Sequence, residues 1–255
     1  MTRLSATDIS YRVGRTTVLD GIGLTIAPDG LVAIVGPNGA GKTTLIRILG
    51  GDLAPTTGGV AIDDVDVADL PDRDLARVRA LLGQGGAGDI PFPAATVVAL
   101  GRTPHRRSPG NSAAEDAEVV ERTIVDLGIP HLRNRIFATL SGGERALVSL
   151  ARVLAQESRV LLLDEPTSAL DIAIEERAMG LLRQRALDTV VVCVLHDLNL
   201  AARYAQRLVL LSKGSVVADG PPDEVLAPDT LTTVYEHPMR VVPHPFRDGP
   251  LVLAG

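Results

Sequence analysis

A chain of 255 residues with 45% hydrophobic and 22% charged residues has the make-up of a globular protein long enough to bury a core. Its net charge of −6 argues against nucleic acid as the main partner, and the lone Cys193 excludes an internal disulfide and suits a reducing compartment. The start carries no secretion-signal pattern, and apolar runs such as 190–195 are far too short to cross a bilayer, so any membrane role is expected to come through a partner.

Taken in order, short apolar runs alternate with helical patterns, which predicts an α/β fold with a mostly parallel sheet. The segments Leu4–Val13 and 18–26 alternate like antiparallel strands turning near Gly14. Leu31–Val35 is apolar throughout, as a strand covered on both faces would be, and Lys42–Leu49 reads as a helix stopped by Gly50-Gly51. A strand is expected at 78–82, followed by the glycine-rich stretch 83–88. The character then turns helical: a short helix capped by Thr96 through Leu100, a second over 113–127 with Ala117, Val120, Ile124 and Leu127 on one stripe, and a third over 141–156. Strands return at 160–163 and 190–195 with a helix over 171–187 between them. The pattern predicts one domain: a core of 1–84 and 158–220 with an antiparallel β subdomain, an inserted helical subdomain at 85–157, and a less regular, proline-rich appendage at 221–255.

The basic residues are 23 Arg and only two Lys, Lys42 and Lys213. Lys213 sits in Ser212-Lys213-Gly214-Ser215, a hairpin-turn pattern where a solvated lysine is the plain reading. Lys42 belongs to Gly36-Pro37-Asn38-Gly39-Ala40-Gly41-Lys42-Thr43-Thr44, which fits G-x-x-x-x-G-K-[ST] between a buried strand and a helix. Backbone N–H groups freed by the glycines can converge on phosphate oxygens, with the helix N-terminus adding positive potential. Lys42 brings a compact charge to the β- and γ-phosphates, which the planar fork of Arg does not reproduce, and Thr43 offers a hydroxyl to Mg²⁺.

Asp164 and Glu165 end the apolar run 160–163, at the edge of an α/β sheet where ligands sit. Asp164 can reach a Mg²⁺ shell, and Glu165 can polarise an attacking water; alone, the pair could equally be an acidic turn. Leu140-Ser141-Gly142-Gly143-Glu144 has an alternative reading too, a capping box before an apolar helix.

With that pentapeptide the chain resembles the ATP-binding cassette (ABC) ATPases, whose signature is LSGGQ or LSGGE. The resemblance runs over nearly the whole chain in the expected order, and implies a phosphate-loop NTPase core. It matches Tyr11 to the aromatic residue stacked on adenine, 36–44 to the phosphate loop, and Gln84 to the Q-loop glutamine that serves metal and water. It matches Asp164-Glu165 to the carboxylate pair, Ser168-Ala169-Leu170-Asp171 to the D-loop, and His196 to the switch histidine. Taken singly, Tyr11, Gln84 and His196 would pass as a strand residue, a loop residue and a structural histidine. The family often carries a base at the position of Leu147; here the nearest is Arg145.

The resemblance implies Mg-ATP hydrolysis by two copies paired head to tail, each ATP held between one copy's phosphate loop and the other's Ser141, Gly142, Gly143 and Glu144. It also implies two membrane permease subunits, an extracytoplasmic substrate-binding protein reached through them, and a peripheral place on the cytoplasmic face of the inner membrane. Val97-Val98-Ala99-Leu100-Gly101-Arg102-Thr103-Pro104-His105 looks like the VALGRxPH stretch of importers for iron chelates, haem and cobalamin. The tail Arg240-Val241-Val242-Pro243-His244-Pro245 with Gly249-Pro250 resembles the haem-import ATPases most. Arg102, Arg106 and Arg107 are either a solvated basic face or a permease contact. Two other classes stand beside this: a cassette acting on nucleic acid or ribosomes, which would carry a long coiled-coil insertion or a second cassette, and a non-enzymatic regulator, which would lack Glu165 or His196.

Overall fold

The computed structural model describes residues 2–83, 90–106 and 112–255. It opens with β1 (Leu4–Val13) and β2 (Thr16–Ile26), antiparallel as their alternation predicts, followed by β3 (Leu31–Val35), α1 (Lys42–Leu49), β4 (Thr57–Ile62), β5 (Val65–Asp66), α2 (Asp72–Val78) and β6 (Arg79–Leu82). A helical block follows with α3 (Ala94–Ala99), α4 (Ala113–Asp126) and α5 (Gly142–Ala155). The chain then runs through β7 (Val160–Asp164), α6 (Ile172–Arg185), β8 (Val190–Val194), α7 (Leu198–Tyr204), β9 (Arg207–Ser212) and β10 (Ser215–Gly220). It closes with α8 (Pro222–Val225), α9 (Pro228–Tyr235), β11 (Met239–Pro243) and β12 (Pro250–Ala254).

Two sheets organise this order. One is antiparallel, β2-β1-β4-β5; the other has six strands, β10-β9-β3-β8-β7-β6, all parallel except the β10 edge. Strand periodicity divides the large sheet's side chains between two cores. Leu31, Ala33 and Val35 of β3 join one core with Leu161, Leu163, Val191, Cys193, Leu208 and Leu210; Val32 and Ile34 join the other with Leu162, Val192, Val209 and Leu211. The helical block packs on the first face, and α1 with the antiparallel sheet covers the second. Central strands buried on both sides must be apolar at every position, which is why they read so clearly. Burial also pushes the Cys193 thiol far up, so it is inert towards thiol reagents in the folded chain.

Three expectations are corrected. Thr96 does not cap α3: the helix begins two residues earlier after Pro93, and its first N–H groups are taken by Arg135 O (2.9 Å, from Ala94) and Arg133 O (3.0 Å, from Ala95). With backbone acceptors in place, no side-chain cap is needed. The segment 221–255 is more regular than expected, forming α8, α9, β11 and β12, and Val225, Leu226, Leu231, Val234 and Val252 belong to the main core while Asn199 pairs with the Val252 backbone. Arg102 is not solvated: it is buried between Asp116 (2.7 Å), Glu157 (2.9 Å) and the Ala155 carbonyl (2.9 Å), while Val97 and Val98 are fully buried. Val97, Val98, Gly101 and Arg102 of this stretch therefore line the helical block's interior, while Leu100 and Thr103 are exposed. Arg107 lies outside the described residues.

The turn expected at Lys213 is present, with Lys213 and Gly214 both left-handed (φ 48° and 83°) between β9 and β10, as a tight two-residue hairpin requires.

Candidate nucleotide site

Three loops leave the C-terminal ends of β3, β7 and β8, which are neighbours in the sheet. The first, 36–41, passes from β3 into α1. Gly36 takes φ 146°, and a Cβ there would lie 2.0 Å from the Leu211 carbonyl oxygen, so only glycine fits. Lys42 is 6% exposed, and its ammonium donates to the Gly36 carbonyl (2.7 Å) and the Pro37 carbonyl (2.9 Å). Two of its three N–H donors thus fix it over the loop, leaving one for an outside acceptor. Burial pulls the Lys42 ammonium below its usual range, opposed by the charges of Glu165 and Asp164.

Asp164 ends β7 beside Val194 of β8, buried, with neither carboxylate oxygen in a hydrogen bond of standard distance and direction. Burial pushes its carboxyl above the usual range; Glu165 adds to this, while the Thr43 hydroxyl, Lys42 and His196 oppose it. A buried carboxylate held so poorly by protein partners suits a hard cation that takes oxygen ligands, with the Thr43 hydroxyl as its companion.

Because its folded pKa is raised, Asp164 costs stability in its charged form, a cost that grows as pH rises above the ordinary carboxylate range. Asp164→Asn is therefore expected to melt higher than the parent at neutral pH in the absence of ligand, and, if Asp164 holds a divalent cation, to gain less than the parent when Mg-ATP is added. Scanning calorimetry with and without Mg-ATP reads both. A variant that melts no higher and keeps the parent's gain from Mg-ATP removes Asp164 from this role.

Glu165 follows in the left-handed region (φ 54°), its N–H donating to the Val194 carbonyl at 3.1 Å. That kink turns the carboxylate towards the third loop, where Oε1 lies 2.5 Å from His196 Nε2. His196 is directly followed by Asp197, which caps α7 through the N–H groups of Asn199 and Leu200. Lys42, Thr43, Asp164, Glu165 and His196 are thus brought together at one sheet edge. Tyr11 is half-buried on β1 opposite Leu19, whose side chain packs under the loop at Gly41. Gln84 lies outside the described residues.

The signature residues are elsewhere. Ser141 caps α5 in a full capping box: its hydroxyl accepts from Glu144 N (3.3 Å), and the Glu144 carboxylate accepts from Ser141 N (2.8 Å). Glu144 also meets Arg135 at 2.5 Å, and the Ser141 N–H holds its carboxyl below the usual range with help from Arg135. Ser141, Gly143 and Glu144 line a cleft of about 880 Å³ with Ala169, Asp171 and Arg177, and no phosphate-loop residue borders it. Gly143 approaches so closely that a Cβ would stand 2.7 Å from the Ala169 carbonyl oxygen, while Gly142 faces open space. Asp171 caps α6 through the Ile174 N–H (3.1 Å). Leu147 is buried in the core, and Arg145 ties α5 down by donating to the carbonyls of Leu140 (3.0 Å) and Ala138.

A phosphate-gripping loop, a lysine over it and carboxylates at the adjoining strand ends define a nucleotide-binding protein of the phosphate-loop class. The family profile described as ABC transporter matches residues 19–168. The chain is 48% identical over 237 residues to the hemin import ATP-binding protein HmuV of Nocardia farcinica, covering 92% of this chain and 82% of that one. It is 43% identical over 250 residues to HmuV of Streptomyces coelicolor, covering 98% and 88%. Among solved structures it resembles the inward-facing form of an ABC transporter of proposed metal-chelate type, with TM-score 0.82, 25% identity and coverage of 100% and 98%. It also resembles a dimeric ATP-binding cassette in a post-hydrolysis state with ADP and Pi, with TM-score 0.74, 29% identity and coverage of 86% and 98%. The chain belongs to the ABC transporter family and is one of its ATP-binding, ATP-hydrolysing subunits. Among the described residues no helix is long and apolar enough to cross a membrane.

Proposed function

We propose that two copies of this chain form the ATP-driven motor of a haem importer. The observation that carries this reading is the 48% identity to a hemin import ATP-binding protein over 92% of the chain. The motor works through two membrane permease subunits, which receive haem from an extracytoplasmic binding protein. The chain then sits peripherally on the cytoplasmic face of the inner membrane, and nucleic acid is no partner.

In this reading the backbone of 36–44 and the start of α1 hold the phosphates of ATP, Lys42 directs its remaining N–H at the β- and γ-phosphate oxygens, and Tyr11 stacks on adenine. Thr43 and Asp164 would hold Mg²⁺, and Gln84, by its match to the Q-loop glutamine, would serve the same ion and the attacking water. The ion, when bound, neutralises charge on the β- and γ-phosphates. Glu165, aimed by His196 at 2.5 Å, accepts the proton of the water whose oxygen attacks the γ-phosphorus as the bond to the ADP oxygen breaks. The partner copy's Ser141, Gly142 and Gly143 meet the γ-phosphate with an open helix N-terminus, Glu144 keeps that terminus in shape, and Asp171 lies at the seam. Ile172, 80% exposed beside Asp171, gives the seam an apolar contact.

Purified subunit, permease and binding protein in sealed vesicles with ATP inside test the cargo. Haem is expected to enter, and haem-loaded binding protein to stimulate hydrolysis. The resemblance to a transporter of proposed metal-chelate type makes ferric siderophore or cobalamin the second reading. Stimulation and uptake with either of those, and none with haem, would overturn the haem assignment.

A further inference from the structure

His196 hangs between two backbone anchors. Before it, the Leu195 N–H donates to the Ile34 carbonyl of β3 (3.1 Å); after it, the Asp197 carboxylate accepts from the N–H groups of Asn199 (2.7 Å) and Leu200 (3.1 Å) at the start of α7. The His196 side chain is 45% exposed, so packing on the ring holds it only in part, and its aim at Glu165 depends on where those anchors stand.

The second anchor is gripped from far along the chain. Asn199 donates from Nδ2 to the Val252 carbonyl (3.1 Å) and accepts the Val252 N–H on Oδ1 (2.7 Å). Both backbone groups of Val252 are thus spent on one side chain, which completes the outer edge of β12 as a neighbouring strand would, while Val252 faces Val241 across the β11–β12 pair. Arg247, in the turn of the same hairpin, reaches the Asn199 carbonyl (3.4 Å). A two-stranded sheet is marginal by itself and needs such supports. At its base the Met239 N–H donates to the Thr232 hydroxyl of α9 (3.1 Å) and the Gly255 N–H to the Pro238 carbonyl (2.9 Å), and α9 is sunk in the core through Leu231 and Val234. A continuous run of bonds therefore leads from α9 through the hairpin, Asn199 and Asp197 to the residue that meets Glu165.

Resting on the assignment of Glu165 as proton acceptor with His196 beside it, we propose that Asn199 is a positioning residue for ATP hydrolysis: its amide locks the first turn of α7 to the C-terminal hairpin and so keeps His196 against Glu165. It acts through His196, on the chemical step and not on ATP binding.

Asn199→Ala in the full-length chain is expected to lower kcat about tenfold, short of the roughly 10²-fold that a misplacement of about 1 Å can cost, with the KM for ATP within about twofold. The base of the hairpin keeps its own bonds, so the variant is expected to fold. The deciding readout is the same substitution in a His196→Ala background, followed by single-turnover hydrolysis. There the second change is expected to slow hydrolysis by less than about twofold, whereas a merely structural asparagine costs the same factor in both backgrounds. Equal factors overturn the proposal, and so does an unchanged kcat or a loss confined to KM. Asn199→Asp keeps the acceptor for the Val252 N–H but sets a carboxylate oxygen against the Val252 carbonyl, and it carries the same test should the alanine variant not fold. If neither folds, Asn199 is structural and the proposal falls. His196→Ala with the parent's kcat sinks the Glu165–His196 assignment itself; a crippled His196→Ala beside a parent-like Asn199→Ala removes the brace alone.

Discussion

Glu165→Gln is expected to hydrolyse ATP about 10³-fold more slowly than the parent while binding it within about twofold. Gln fills the same volume and can still meet His196, which stands 2.5 Å from the Glu165 carboxylate, but it cannot accept a proton from the attacking water. In the proposed mechanism binding depends on the loop at 36–44 and on Lys42, which the substitution leaves alone. If ATP joins the two copies and hydrolysis parts them, the variant should also run as a stable dimer with ATP and a monomer without it. Single-turnover hydrolysis and size-exclusion chromatography check the two parts. Turnover near the parent rate removes Glu165 as the base; slow turnover without dimer accumulation leaves the base in place and removes the ATP-held dimer.

Mixing two dead variants is expected to restore activity. Lys42→Ala cripples the loop half of each site, and Ser141→Arg blocks the signature half; each alone should lose at least about 10²-fold. In a head-to-tail pair of one of each, both lesions fall in one composite site and the other site is whole. Random pairing of equal amounts leaves about a quarter of all sites intact, because two-fold symmetry makes the two sites equivalent. Recovered activity should therefore approach that fraction, measured by steady-state phosphate release after co-incubation. A mixture as inactive as its components refutes composite sites that fire independently. The geometry motivates the experiment: within one chain Ser141, Gly143 and Glu144 border a cleft that no phosphate-loop residue reaches.

What the sequence made legible follows from how local each signal is. β3, β7 and β8 are continuous apolar runs because they are covered on both faces, and the loop at 36–44 is a contiguous backbone motif. β4 was missed because it begins Thr57-Gly58-Gly59 and buries only alternate residues towards its end, which reads as a turn. Thr96 misled because a β-branched hydroxyl residue before an apolar run is a good cap in isolation, yet distant carbonyls of Arg133 and Arg135 had already supplied the acceptors. Arg102 misled because burial of an arginine depends on Asp116 and Glu157 converging on it from other segments. Local chemistry was readable; tertiary rescue of a polar group was not.

The close approach of Gly143 to the Ala169 carbonyl has a mechanical consequence. The signature turn packs there directly on the stretch running from Glu165 to Asp171, with room for no side chain between them. In the proposed pair, one side of that contact faces the ATP gripped by the neighbouring copy, and the other leads back to this copy's own Glu165. A side chain placed at 143 would then disturb two pockets at once.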